Sequence, residues 1–342
     1  MKQLGKPVFV VAEAGCNHMC EIDLAKRMID EAKGAGADAI KFQTYKAEEL
    51  VTDQAAPFWT KENINQLDYY KRLDRFGIEE YRELFSYSEQ VGITCFSSPF
   101  DFGSVDLLNQ LDMPIYKIAS CDINNHPLIQ HISQVGKPII LSTGAATQEE
   151  IDKALEVIKD TNSSVDVALL ACTLSYPTSQ ASANLWRIQT LKSLYPDHVI
   201  GFSDHTEPED NMVIPAVAVG IGARIIEKHF TLDRTMTGSG HHFAVNPKDL
   251  AKMVENIRIA EKIVGDGDLG VANVEESAWE KARRSIVVTK KRQKGEVLTI
   301  DSIGYKRPGT GLPPSDTDQV VGKKLSRNVD VDEFVDLSML VD

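Results

Sequence analysis

Two histidines and two lysines hold the chemistry that this sequence can do. His205 lies in GFSDHT and His229 in ARIIEKHF, each just beyond a short apolar run, while Lys41 and Lys117 sit inside the apolar runs AIKFQ and IYKIAS. Histidines delivered from strand ends can share a divalent ion such as Mn2+, Mg2+ or Zn2+, with Glu13 as a third partner, direct or through water. The competing assignment for either ring is a bond to nearby backbone. A lysine inside a strand is costly unless it meets an anion. Three assignments stand for Lys41 and Lys117. They clamp a carboxylate or phosphate with the hydroxyls of Ser98, Ser120 and Ser142, or pair with a core glutamate such as Glu13 or Glu227, or form an imine with a carbonyl substrate.

Further polar residues fall at the ends of apolar runs: Asn17 and His18, Gln43, Asp122, Tyr176, Ser203 and Asp204, Glu227 and Lys228. Their convergence on one mouth argues for an enzyme. Asp204 either orients His205 or caps the next helix. His241 and His242 lie in the glycine-rich GSGHHF, a loop able to close over a ligand or an exposed turn. Arg307 in YKRPGTGLPP either reaches a ligand in another subunit or decorates a hairpin.

The elements that must position these residues follow one rhythm. PVFVVA, ADAIKFQT, ITCFS, IYKIAS, KPIILST, VDVALLAC, HVIGF and RIIEKHF read as strands, and each is followed by a helical period. Leu24, Ala25, Met28, Ile29 and Ala32 mark the first such helix, and a last one is expected over about 247–263. Eight such units predict a (β/α)8 TIM barrel. The rival, a doubly wound open sheet, would carry a glycine fingerprint after its first strand, and AEAGCNH has none. The segment over residues 45–76 is too long for a plain connection and is expected over a site or in an interface. The predicted organisation is a catalytic barrel over 1–270, a linker over 271–283 and a small β-rich domain over 284–342 that needs docking for stability.

Acidic residues outnumber basic ones, 50 to 37, for a formal charge of -13, so nucleic acid is not an expected partner. The five cysteines are odd in number and form no CxxC pair, which points to reduced thiols and a cytoplasmic protein. MKQLGKPVFVVAEAG is too short in apolar length for a signal peptide, and no apolar span predicts a membrane crossing.

AEAGCNH, ADAIKFQTYKAEEL, YKIASCDI, KPIILSTG, CTLSYPT, GFSDHT and EKHFTLDRTMTGSGHHFAVNP resemble the sialic acid synthase family, the nonulosonic acid synthases that include legionaminic and pseudaminic acid synthases. ARRSIV, KGEVLT and KRPGTGL resemble its C-terminal antifreeze-like, or SAF, domain. The resemblance implies a transferase that condenses phosphoenolpyruvate with an open-chain N-acylated amino sugar, free or 6-phosphorylated, using Mn2+, or Mg2+ or Co2+. It also implies a domain-swapped homodimer in which each small domain caps the other barrel. Carried onto this chain, it implies phosphoenolpyruvate contacts from Lys41, Ser98, Lys117, Ser120, Ser142 and Ser203, and metal ligands His205 and His229. Glu13 handles a water or proton, and Gln43, Asp122, Tyr176, His242 and Arg307 fall on the sugar side. Three departures cluster towards that side: Ser120-Cys121-Asp122 replaces SGE, Leu174 replaces the Asn or Ser of CTxxYP and so removes a polar contact near phosphoenolpyruvate, and Gly240 replaces the aspartate of a GPDH loop. An imine-forming aldolase and a noncatalytic carbohydrate-binding relative are the alternatives.

Overall fold

The computed structural model describes residues 7–57 and 65–342. The chain forms two compact units, Met1–Gly265 and Asp266–Asp342.

The first unit is a closed barrel of eight parallel strands in sequence order. These are β1 Phe9–Gly15, β2 Ala39–Thr44, β3 Thr94–Pro99, β4 Tyr116–Ile118, β5 Ile139–Ser142, β6 Val167–Cys172, β7 Val199–Asp204 and β8 Ile225–His229. β8 closes on β1 with Glu13 opposite His229, and across the next seam Glu13 faces Lys41. The TIM barrel expected from the strand rhythm is the fold observed. Its helices are α1 Ile22–Gly34, two short helices α2 Ala47–Leu50 and α3 Gln66–Lys71, then α4 Ile78–Val91, α5 Phe102–Gln110, α6 His126–Val135, α7 Gln148–Thr161, α8 Trp186–Leu194, α9 Val213–Ile221 and α10 Pro247–Val264.

Local chemistry sets these bounds. Thr147 and Glu150 close a capping box on α7, Asn246 and Asp249 do the same on α10, and Pro247 starts that helix without wasting a backbone donor. Left-handed glycines 92, 136 and 222 stop α4, α6 and α9. The buried stripe of α1, Ala25, Met28, Ile29 and Ala32, packs into the same core as the strand residues Val10, Ile40, Phe96, Ile140, Leu169 and Ile226. Gly201 in β7 is required by crowding: a Cβ there would sit 2.5 Å from Leu170 and 2.6 Å from the Ile225 carbonyl.

The segment between β2 and α4 builds a satellite cluster. Cys16, Tyr45 and Leu73 are buried in it, with Met19, Leu50, Tyr69, Tyr70 and Phe100 packed around them. Residues 58–64 of that segment, and the first six of the expected non-signal N-terminus, lie outside the described residues.

The second unit holds α11 Glu276–Ala282, α12 Thr317–Val320 and two small antiparallel sheets, β9 Ser285–Val288 with β10 Ile303–Lys306 and β11 Lys324–Leu325 with β12 Leu340–Val341. Its core is small, centred on Ile286, Val288, Leu298, Val320, Leu325 and Val335. No described helix is long and apolar enough to cross a membrane.

Candidate active site

Strand register gathers the candidate residues at the C-terminal mouth of the barrel. An inner chamber of about 40 Å3 is lined by Glu13, Lys41, Ser98, Lys117, Ser120, Ser142, Ser203, His205, Glu227 and His229. An outer chamber of about 370 Å3 is lined by residues including Asn17, Gln43, Asp122, Leu174, Gly240 and Phe243. Gln43, Phe100, Ala119, Tyr176 and His229 line both, so the chambers adjoin.

The inner chamber is a buried charge network. Lys41 Nζ lies 2.5 Å from Glu13 Oε2 and 3.7 Å from Glu227 Oε2, and donates to Ser98 Oγ at 3.1 Å. Lys117 Nζ lies 3.6 Å from Glu227 Oε1, which accepts from Ser203 Oγ at 2.9 Å. The ion-pair assignment for the lysines is therefore the one that the side chains make. The pairing to Glu227 is loose, and among the described residues Glu227 Oε2 accepts no hydrogen bond and the buried Ser142 hydroxyl has no partner. Ser120 Oγ accepts from the Gly144 amide at 3.0 Å. The Ser142 hydroxyl beside two lysines is a donor that an anion with several oxygens can satisfy, and such an anion would compete with Glu227 for the lysines.

Burial and neighbouring charge set the protonation states. Desolvation raises the Glu13 carboxyl to about 7, with Glu227 adding and Lys41 opposing. Burial alone would raise Glu227, but Lys117 and Lys41 outweigh it and hold it below the usual value. Burial works against the Lys41 charge, and Glu13 and Glu227 overcome it, leaving its pKa raised. Lys117 is lowered, by burial and then by Lys41, with Glu227 opposing.

The histidine rings lie 5.2 Å apart between centroids, and Tyr176 packs on both, at 4.4 Å from His205 and 5.6 Å from His229. Burial lowers His205 to about 4 and takes His229 well below its usual range, with His205 and Lys41 adding to the latter. His205 Nδ1 bonds the Thr173 carbonyl at 3.0 Å, which leaves Nε2 its lone pair. Neutral, oriented imidazoles are the donor type a divalent ion takes. Among the described residues no group of three or more His, Cys, Asp or Glu is set to hold a metal. The two neutral rings are the protein donors that the described residues offer to such an ion.

Asp204 does not contact His205 through its carboxylate. It pairs with Lys228 Nζ at 2.7 Å and accepts from the Thr206 amide at 2.8 Å. His242 is exposed and lines neither chamber, packing edge-on against Phe243 at 5.0 Å; its neighbour His241 is buried against Thr231. Arg307 lies exposed in the second unit. A Cβ at Gly240 would meet Phe243 Cζ at 2.7 Å, and Phe243 packs on Tyr176 and His229, so a larger residue at 240 must move that ring. Glu227 is the residue that sequence reasoning undervalues. Its signal is the alternation in RIIEKHF, which puts Glu227 and His229 on one side of β8.

Residues 28–269 match the NeuB family, and residues 283–341 match the SAF domain. The chain belongs to the NeuB family. It is 36% identical to the N,N'-diacetyllegionaminic acid synthase of Campylobacter jejuni, over 96% of this chain and 99% of that one. It is 34% identical to the human N-acetylneuraminate-9-phosphate synthase, over 98% and 93%. A crystal structure of the N-acetylneuraminic acid (sialic acid) synthetase of Leptospira borgpetersenii, in complex with citrate, is 40% identical and superposes with a TM-score of 0.72, covering 80% of this chain and 90% of that one. The resemblance to nonulosonic acid synthases with a SAF domain therefore holds at the level of the family.

Proposed function

We propose that this chain condenses phosphoenolpyruvate with an open-chain N-acylated amino sugar, giving a sialic-acid-like 2-keto-3-deoxy acid and phosphate. The observation that carries this reading is the pair of adjoining chambers, one charged and lined by Lys41 and Lys117, the other larger and less polar, with His229 facing both. On this reading the lysines exchange their glutamate partners for the phosphate and carboxylate of phosphoenolpyruvate, and Ser98, Ser120, Ser142 and Ser203 complete the oxygens. Gln43, Asp122 and Tyr176 hold the sugar with its aldehyde towards the inner chamber.

His205 and His229 would hold a divalent ion, Mn2+ first and Mg2+ or Co2+ as substitutes, which when bound polarises the aldehyde. Carbon 3 of phosphoenolpyruvate attacks the aldehyde carbon and leaves positive character at carbon 2. Glu13, poised near neutrality by burial, takes a proton from the water that adds there and passes it to the aldehyde oxygen, which becomes a hydroxyl, while the second proton of that water leaves the carbon 2 hydroxyl for the departing phosphate. The carbon–oxygen bond to phosphate then breaks and releases phosphate with the keto acid.

The same reading places the enzyme in the cytoplasm, in keeping with five unpaired cysteines. It assembles as a domain-swapped homodimer in which Arg307 reaches the sugar in a second copy. A lowered Lys117 favours one other reading, an imine-forming aldolase.

The test is phosphate release from phosphoenolpyruvate by enzyme with Mn2+, with and without N-acetylmannosamine, its 6-phosphate or a di-N-acetylated 6-deoxyhexose. Sugar-dependent release, lost in His205→Ala and His229→Ala, is expected. Borohydride trapping of a lysine with pyruvate would instead establish the aldolase. Sugar binding without turnover would establish a noncatalytic carbohydrate-binding relative.

A further inference from the structure

After β8 the chain makes a loop that returns to its own start. The Thr231 amide donates to the Val245 carbonyl at 2.9 Å, the Val245 amide donates to the His229 carbonyl at 2.8 Å, and Phe230 and Val245 pair as an isolated bridge. Residues 231–244 thus form a compact loop rooted on the strand end that carries His229. The root holds two side chains to which no role has been given. His241 and Thr231 are both fully buried, and His241 Nδ1 lies 2.7 Å from Thr231 Oγ1. Among the described residues His241 Nε2 has no partner. A leucine would fill a comparable volume with no polar atom to desolvate. What the imidazole adds is one bond between the first residue of the loop and a residue near its end.

That bond decides where the flanking residues stand. Gly240 and Phe243 line the outer chamber, and the Phe243 ring meets His229 edge to face at 4.9 Å and lies 5.2 Å from Tyr176. The tip of the loop has a second support. Gly238, at a φ of +100°, lies under Met19, where a Cβ would come 2.5 Å from the Met19 methyl, and Ser239 hydrogen-bonds Tyr69. Met19 and Tyr69 are half-buried, so solvent reaches these tip contacts, whereas the His241 and Thr231 pair is sealed. The root is therefore the part of the loop that can fix the Phe243 ring.

We infer that His241 is a positioning residue: its bond to Thr231 locks the loop after β8 and so holds Phe243 against His229, which keeps that ring in one orientation at the mouth. This deepens the condensation reading and rests on its assignment of His229 to the divalent ion. His241 lines neither chamber and acts only through the loop.

Trypsin reads the loop without any turnover, since Arg234 is the only lysine or arginine between His229 and Pro247 and is exposed. Cleavage after Arg234 in the native protein, followed by mass spectrometry, should quicken about tenfold in His241→Leu and in Thr231→Val. His241→Asn keeps a polar atom in the place of Nδ1 and should stay within about threefold of the parent. Mn2+ binding, followed by electron paramagnetic resonance, should weaken about tenfold in the first two variants and recover in the third, with calorimetric affinity for phosphoenolpyruvate unchanged. Parental cleavage in His241→Leu and Thr231→Val overturns the lock. Faster cleavage with parental Mn2+ affinity, or a parent chain that takes up no Mn2+, overturns the link to His229. Loss of Mn2+ and phosphoenolpyruvate binding together, not restored by His241→Asn, reduces His241 to packing. If His241→Leu does not fold, Thr231→Val decides alone. Failure of the condensation reading shows separately, as a parent enzyme that releases no phosphate with any sugar, while cleavage and Mn2+ binding still decide the inference.

Discussion

At the scale of single residues, the site is a set of charges kept out of water, and each carries a cost that a measurement can find. Asp122 is the clearest. Burial raises its carboxyl to about 6 from an ordinary value of 3.8, with Cys121, Asn125 and Lys117 pulling the other way. A raised acid favours the fold below its unfolded value and loses that contribution as pH rises through the folded value. Between about pH 4 and pH 6 the protein should therefore lose stability from this group, about 2 kcal/mol by pH 8 once partial exposure is allowed for. Asp122→Asn removes the ionisation. Its melting temperature is expected to exceed that of the parent at pH 8 and to match it below pH 4; an offset that is the same at both pH values would show that ionisation is not the cause. The sequence makes Lys41 and Lys117 legible because a lysine among apolar neighbours needs an anion. It hides that Glu227 is opposite both, since that depends on which strands adjoin across the barrel.

At the scale of elements, the strands were legible and their ends less so. Apolar runs flanked by helical periods place all eight barrel strands, yet β4 is only Tyr116–Ile118, because the chain turns into a short 3-10 helix at Ser120–Asp122. The segment over residues 45–76 reads as an insertion from its length. That Tyr45 and Leu73 wall the outer chamber is a matter of packing against Cys16 and Phe100 from other loops, which no local pattern encodes. The seam between β7 and β8 yields a further expectation. Asp204 and Lys228 pair in register and bond through buried side chains, and the residue after each is a histidine of the proposed metal site. Lys228 also donates to the Thr206 carbonyl at 2.8 Å, so one ammonium ties together the residues on either side of His205. Lys228→Met leaves Asp204 buried without its cation and is expected to destabilise the protein by about 3 kcal/mol. Because the brace fixes where His205 stands relative to His229, Mn2+ binding followed by electron paramagnetic resonance should weaken by about tenfold or more. Full Mn2+ affinity in a variant that is destabilised but folded would reduce the pair to a structural role.

At the scale of the whole molecule, the barrel carries its own core while the second unit is small. Its buried apolar set is confined to residues such as Ile286, Val288, Leu298 and Val335, and its sheets are two-stranded. Short β-runs broken by Gly and Pro made that β character legible. How such a unit is used cannot be read from a pattern internal to it, because its partner surface depends on assembly. The proposed exchange of small domains makes a prediction that separates action within a chain from action between chains. Arg307→Ala should impair the sugar step, and Lys117→Met should disable the barrel of its own chain. In a mixed dimer with exchanged domains, the intact barrel of the Arg307→Ala chain is capped by the intact small domain of the Lys117→Met chain. Co-unfolding and refolding the two variants in equal amounts should then produce sites with parental KM for the sugar, although neither variant alone has them. If Arg307 serves its own barrel, every intact barrel in the mixture keeps an altered cap. Phosphate-release kinetics on the mixture then stay at the sum of the separate variants, which would sink the exchanged arrangement.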